Sequence, residues 1–275
     1  MSYLRDKPKV TFPRLGSHGQ FGNQLFQISA CLGYAARFGA EPRLPEWVCS
    51  YSGINYGNIF EGIKKYYGQL PRATLYQEQN FTYADIPLMQ KIDLRGNFQC
   101  ERYFENAEEQ IRSIFAEPVF ITKQLDEYIL ENKLGAFSAI HFRSYSHPVN
   151  DLNHPMARLP EAYYLSALQA LGDSKSLLIA TDDKEFVASF LARHHIRRDV
   201  HVLTFDNPLL DFFALTRAKH LAISNSSFSW WAAYLSNAKR VSAPHRYFWF
   251  SDHVRRNPFW DTRTLYPKHF QEIII

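Results

Sequence analysis

The chain has 275 residues, enough for one large domain or two modest ones, and 46% of them are hydrophobic, so a sizeable core is within reach. A net charge of +4 is too small to argue for nucleic acid, and no nucleic-acid-binding signature occurs; at most it gives a weak preference for anionic ligands or an anionic membrane surface. Cys31, Cys49 and Cys100 are odd in number and form no close CxxC pair, which argues against a disulfide framework and a structural zinc site and fits a reducing compartment.

The first ten residues, MSYLRDKPKV, are charged and lack the apolar run of a signal peptide. No stretch approaches the ~20 apolar residues that span a bilayer, so the expectation is a soluble, cytoplasmic protein. Val10 to Leu15 reads as a short strand, with Pro13 demoting it toward an edge. Gly16, Gly19 and Gly22 then mark a tight loop where backbone approaches something closely, either a ligand or simply the next turn. The loop is neither GxGxxG nor a P-loop. A helical pattern follows from Leu25 to Ala35.

Residues 41–87 carry several prolines and read as mixed short elements. Leu94 to Phe98 is strand-like, Tyr103 to Phe115 and Val119 to Leu134 are helical, and a domain boundary is expected near 115–135. From Ala136 to about residue 245 apolar strands alternate with helices, the pattern of a parallel sheet with covering helices. The strands are 136–142, 177–181, 201–205, 221–224 and 240–243. The helices are 159–171, 184–193, a start at 211–217, and 229–237. The aromatic tail from Pro244 is expected to pack back. Arg197-Arg198, His194-His195 and Arg255-Arg256 read as solvated or helix-end groups, with the arginine pairs also suited to an anionic membrane.

Three strand ends bring chemistry together. The first strand ends in His141 and Arg143, two apart and on one side. An arginine there can grip a phosphate through its fork of donors, or merely cap a core strand. The second ends in Asp182-Asp183. The third runs into Asn225-Ser226-Ser227-Phe228-Ser229, a strand-to-helix turn of hydroxyls where a helix N-terminus favours a phosphate; for any one serine a plain N-cap competes.

With these residues in view, the sequence resembles glycosyltransferase family 11, the α-1,2-fucosyltransferases, in its bacterial form. GQFGNQLFQISACLGYAARFG is similar to that family's GxxGNQxFQ segment, LRGNFQCERYF to its central aromatic motif, and ATDD and LAISNSSFSWWAAYLS to its two later motifs. The family's HxRRGDY falls on His141-Phe142-Arg143-Ser144-Tyr145-Ser146-His147, so the second arginine, the glycine and the aspartate are replaced. The resemblance implies an α/β, GT-B-like fold: two Rossmann-like domains facing a cleft, residues 1–125 on the acceptor side and 126–275 binding a GDP-sugar. It implies inverting transfer of L-fucose from GDP-L-fucose to O2 of galactose in a glycan such as an O-antigen repeat, with no cofactor and no metal. By matched position it places Arg143 on the β-phosphate and His141 against guanosine. Asp211, sixteen residues before Ser227, falls on the guanine nitrogens. Asn225, Ser226, Ser227, Phe228 and Asp183 fall on the donor, and Asn23 at the reaction centre. Gln24 and Trp230 are placed on the acceptor. For the general base, His147, Asp151 and His154 lie in the polar stretch after Arg143, and His147 titrates in the useful range. Partners implied are a GDP-sugar and an oligosaccharide or lipid-linked acceptor, with peripheral contact at the inner membrane face and no nucleic acid. Another GDP-sugar as donor, or a non-catalytic nucleotide- or glycan-binding protein, are the readings left open by the altered motif.

Overall fold

The computed structural model describes residues 6–145 and 154–275. The chain divides into two compact units, Met1–Ala116 and Glu117–Ile275, each an α/β unit with its own parallel sheet.

In the first unit, β1 (Lys9–Thr11) lies between β2 (Glu41–Arg43) and β4 (Lys91–Arg95), with β3 (Thr74–Gln77) outside β4. Val10 sits opposite both Pro42 and Ile92, all in parallel register. β1 stops before Pro13, which has no N–H for a ladder, and the chain turns through Leu15 N–H to Phe12 O (3.0 Å). The strand is therefore shorter than its apolar run. α1 (Phe21–Phe38) follows the glycine loop and ends at Gly39, whose left-handed backbone (φ 63°) returns its N–H to Ala35 O. Two loop glycines have an internal reason. A Cβ on Gly16 would lie 2.1 Å from Val48 O, and one on Gly19 2.3 Å from the Asn23 side chain, both at positive φ.

β4 ends one residue before Gly96, where the backbone wraps the buried Glu78 carboxylate. Its two oxygens accept from Asn97 N–H (2.6 Å) and Phe98 N–H (2.9 Å). Burial outweighs these bonds and pushes the Glu78 carboxyl up to about 7. The helix expected from Tyr103 starts as two short 3₁₀ turns and settles into α2 only over Glu108–Ile114. Phe21, Trp47, Tyr56, Phe60 and Phe115 form an aromatic core cluster beneath.

The second unit opens with α3 (Val119–Glu131). Strands β5 (Ser138–Phe142), β6 (Ser176–Thr181), β7 (Asp199–Val202), β8 (His220–Ala222), β9 (Arg240–Pro244) and β10 (Phe270–Ile273) form one parallel sheet in the order β10-β9-β8-β5-β6-β7. The helices between them are α4 (Glu161–Ala170), α5 (Lys184–His194), α6 (Pro208–Thr216) and α7 (Ser227–Leu235); α8 (Asp252–Arg255) lies in the tail. The strand order reverses between β5 and β8, which makes the carboxyl ends of these two strands the topological switch point where open α/β sheets take ligands.

All five residues of β5 are buried, as expected for a strand covered on both faces. Phe142 stacks on Tyr164 at 4.1 Å, within a core that includes Ile140, Tyr163, Ile179 and Phe190. The tail returns as β10 beside β9. Among the described residues, no helix is long and apolar enough to cross a membrane.

Candidate active site

At the end of β5, Arg143 is half-exposed and its Nη1 lies 3.1 Å from Asp182 Oδ2 at the end of β6. The other Asp182 oxygen accepts from Ser144 N–H (3.2 Å), and the Tyr164 hydroxyl donates to Arg143 O (3.2 Å). Arg143 Nε is buried without a partner, so part of the guanidinium's donor capacity is unmet. His141, one layer deeper, is 5% exposed; its Nδ1 is 2.7 Å from Ser224 Oγ and its ring lies 5.5 Å from that of Phe228. Burial, reinforced by the Arg143 charge, pushes His141 down to about 3, so it is a neutral imidazole at any physiological pH.

Across the switch point, the β8–α7 turn is held from behind. The wholly buried Asn225 donates through Nδ2 to Ala157 O (2.7 Å), Phe248 O (2.9 Å) and Trp249 O (3.3 Å), while its Oδ1 is left without a partner. Ser229 Oγ is shared between Ser224 Oγ (3.3 Å) and the Ser226 carbonyl (3.3 Å), which ties the start of α7 to the end of the strand. Ser226 is the N-cap residue of α7 and makes no side-chain cap. Its side chain instead hydrogen-bonds Tyr145, beside the first-turn N–H groups and the helix dipole, which present a positive end.

Asp211 lies in the first turn of α6. Its Oδ1 is buried and unpartnered, and burial pushes the carboxyl up to about 7 against the pull of Lys184. The next residue, Phe212, packs edge-on against Phe228 (5.2 Å), which in turn meets His141. Asp211, Phe228, His141, Arg143 and Ser226 thus all belong to the carboxyl edge of one sheet. A buried acceptor, an aromatic wall, an unsatisfied guanidinium and a helix N-terminus together suit a nucleoside diphosphate whose base offers donors.

The remaining expected site residues are placed differently. Asp183 is the N-cap of α5 and accepts from Phe186 N–H (2.9 Å); its neighbour Asp182 is the one that meets Arg143. Both end the same strand, and adjacency alone cannot say which carboxylate turns toward β5. Trp230 is wholly buried, with its Nε1 donating to Leu265 O (3.0 Å). Gln24 is equally buried: its Nε2 donates to Gly19 O (2.7 Å) and Oε1 accepts from Trp47 Nε1 (2.7 Å). Neither offers an exposed atom to an acceptor. Gln24→Ala is expected to cost roughly 3 kcal/mol in urea unfolding, because it strands the Trp47 N–H and leaves a cavity. Unchanged stability with lost acceptor use would instead restore a binding role. Asn23 is half-buried at the start of α1, accepting from Gln99 Nε2 (2.7 Å). Arg198 and Arg255 turn into the fold, donating to Leu168 O and Phe250 O (both 3.0 Å), so each arginine pair has one member already used. His147 and Asp151 lie outside the described residues, while His154 packs against the Tyr145 ring (5.1 Å).

Residues 162–251, from α4 through β9 and including Asp211 and the β8–α7 turn, match the family described as Glycosyl transferase family 11. Over 153 residues the chain is 29% identical to an α-1,2-colitosyltransferase of Escherichia coli. Both findings are a similarity to glycosyltransferase family 11 over part of the chain. The match to the colitosyltransferase covers 53% of this chain and 52% of the relative, so the chain spans about half the length of the curated relative it matches. Among solved structures, the chain resembles POFUT1 in complex with GDP (TM-score 0.54, 14% identity, covering 86% of this chain and 98% of that one). It also resembles the NodZ α-1,6-fucosyltransferase soaked with GDP-fucose (TM-score 0.54, 16% identity, 86% and 94%). At these identities the likeness is one of fold, and it is the GT-B-like α/β fold with parallel sheets.

Proposed function

We propose that the chain is an inverting fucosyltransferase that moves L-fucose from GDP-L-fucose to a glycan hydroxyl, O2 of galactose, without a metal or other cofactor. The observation that carries this reading is a pair of unmet polar atoms at the carboxyl edge of the second sheet, Arg143 Nε and Asp211 Oδ1, beside a start of α7 that carries no side-chain cap. Asp211 accepts from the guanine N1–H and N2–H groups, Phe228 and His141 back the nucleoside, and Arg143 with Ser226 and Ser227 holds the diphosphate. The acceptor oxygen attacks the anomeric carbon opposite GDP. The bond from that carbon to the β-phosphate oxygen breaks, and its electron pair leaves on GDP, where Arg143 and the α7 dipole meet the growing charge. The acceptor's proton passes to a base on the acceptor's own side of the sugar; His154, His147 and Asp151 are the candidates by position in the chain. The acceptor is read as an O-antigen-type repeat, lipid-linked and met at the inner membrane face.

The colitosyltransferase relative favours a second sugar, so GDP-linked colitose is tested beside GDP-fucose. The full-length protein is incubated with each donor and a panel of galactosides in the presence of a chelator, and the product linkage is read by NMR. An α-1,2-fucosyl galactoside is the expected product. Preference for the colitose donor changes the sugar and keeps the reaction class. GDP binding with neither transfer nor donor hydrolysis favours a non-catalytic protein, and no GDP binding at all overturns the donor site.

A further inference from the structure

Tyr145 takes no part in the donor contacts assigned above, yet it touches two of the groups assigned to the diphosphate, Arg143 and Ser226. It is not glycine, but its backbone is left-handed (φ 47°), a conformation that L side chains avoid and that persists only when surroundings over-determine it. The surroundings do so. The Tyr145 hydroxyl donates to Asn225 O (2.8 Å), crossing from the end of β5 to the β8–α7 turn. The same hydroxyl interacts with the Ser226 side chain, and its ring lies 5.0 Å from the Arg143 guanidinium carbon. With Ser144 N–H on Asp182 and Tyr164 on Arg143 O, the segment 143–145 is pinned to the ends of β6 and β8 and to α4.

We propose that Tyr145 is a positioning residue of the donor site, a clasp across the switch point that fixes the distance between Arg143 and the start of α7 so that both meet one β-phosphate. This rests on the GDP-sugar reading and adds a role for a residue that stands where the family motif has glycine. Glycine would relieve the backbone; tyrosine keeps the strained conformation and supplies a bond from one phosphate-facing element to the other. Where the motif carries further charge, this chain instead braces a single arginine. The phenol acts here as a neutral hydroxyl, donating to Asn225 O and accepting from the Arg143 and Ser226 side chains, since burial pushes it up to about 12 and keeps it protonated.

The clasp is tested by comparing GDP with GMP, whose difference is the β-phosphate, using calorimetry on the full chain. Tyr145→Phe keeps the ring and the backbone and removes only the clasp. It is expected to lower the GDP-to-GMP affinity ratio about tenfold, with GMP binding and the melting temperature of the free protein unchanged. Tyr145→Gly relaxes the backbone and is expected to show the same loss in ratio, which separates positioning from stability. An unchanged ratio in both variants overturns the clasp while leaving the donor site standing. Equal weakening of GDP and GMP overturns it too, as a sign of general damage. A wild-type protein that binds neither nucleotide removes the donor reading itself, and the clasp with it.

Discussion

Arg143→Ala is expected to keep the fold and lose transfer by about a hundredfold in kcat. The two halves of that expectation come from different magnitudes. The Arg143 and Asp182 side chains are 33% and 29% exposed, so their ion pair is closer to a surface pair than a buried one, and such pairs contribute about 0–1 kcal/mol to stability. Removing a preorganised donor aimed at developing charge costs about 3 kcal/mol in the transition state, and that is the hundredfold. Urea unfolding and steady-state transfer, measured on the same preparation, keep the two apart. Arg143→Lys should fall between, because a point charge replaces a planar fork. Near-normal turnover in Arg143→Ala would remove the arginine from the leaving-group role.

The second sheet was legible because its strands are buried on both faces. SAIHF and SLLIAT leave few alternatives to core strands, whereas α6 starts at Pro208, three residues before the start expected at Asp211, because a proline suits the first helical turn. The alternation of strands and helices puts Arg143 and the serine turn at strand ends of one parallel sheet, while the switch point between β5 and β8 comes from the strand order seen in the structure. The first unit was harder. β2 is three half-buried residues with a proline, and β3 is largely exposed, so neither carries the apolar alternation that announces a strand. β4 was displaced toward Leu94–Phe98 because the apolar residues continue past the strand, while the backbone leaves it at Gly96 to wrap Glu78. Gln24 and Trp230 sit in motif-like surroundings, and a single sequence does not distinguish a residue held for packing from one held for a ligand. What the chain pattern could not reveal was pairing: that Asp182 rather than Asp183 faces Arg143, and that Tyr145 reaches Asn225, are facts of side-chain direction across three strands.

The other large effect is expected at Asp211, where Asp211→Asn should weaken GDP about a hundredfold, close to 3 kcal/mol, and improve binding of xanthosine diphosphate. Guanine offers two adjacent donors, and an ionised carboxylate can accept both; a carboxamide accepts one and meets the other with its own N–H. Xanthine has a carbonyl in place of the amino group, so the same carboxamide then matches both positions. The pH dependence has a definite sign. In the free protein the Asp211 carboxyl is raised to about 7 by burial, above the ~4 of an unfolded chain, so the protonated form is the one that suits the empty pocket. Its stabilising contribution is fully present below about pH 4 and is lost as the pH rises through about 7. The empty wild-type protein should therefore melt lower than Asp211→Asn at pH 8. GDP reverses this, since its donors favour the charged form: its stabilisation of the wild type should grow from pH 5.5 to 8, and binding near pH 6.5 should release protons. Calorimetry in two buffers of different ionisation enthalpy measures that release, and Asp211→Asn should abolish it. Equal GDP affinity in the two proteins, with the same proton release, would place guanine recognition elsewhere and leave Asp211 as a carboxylate that merely begins a helix.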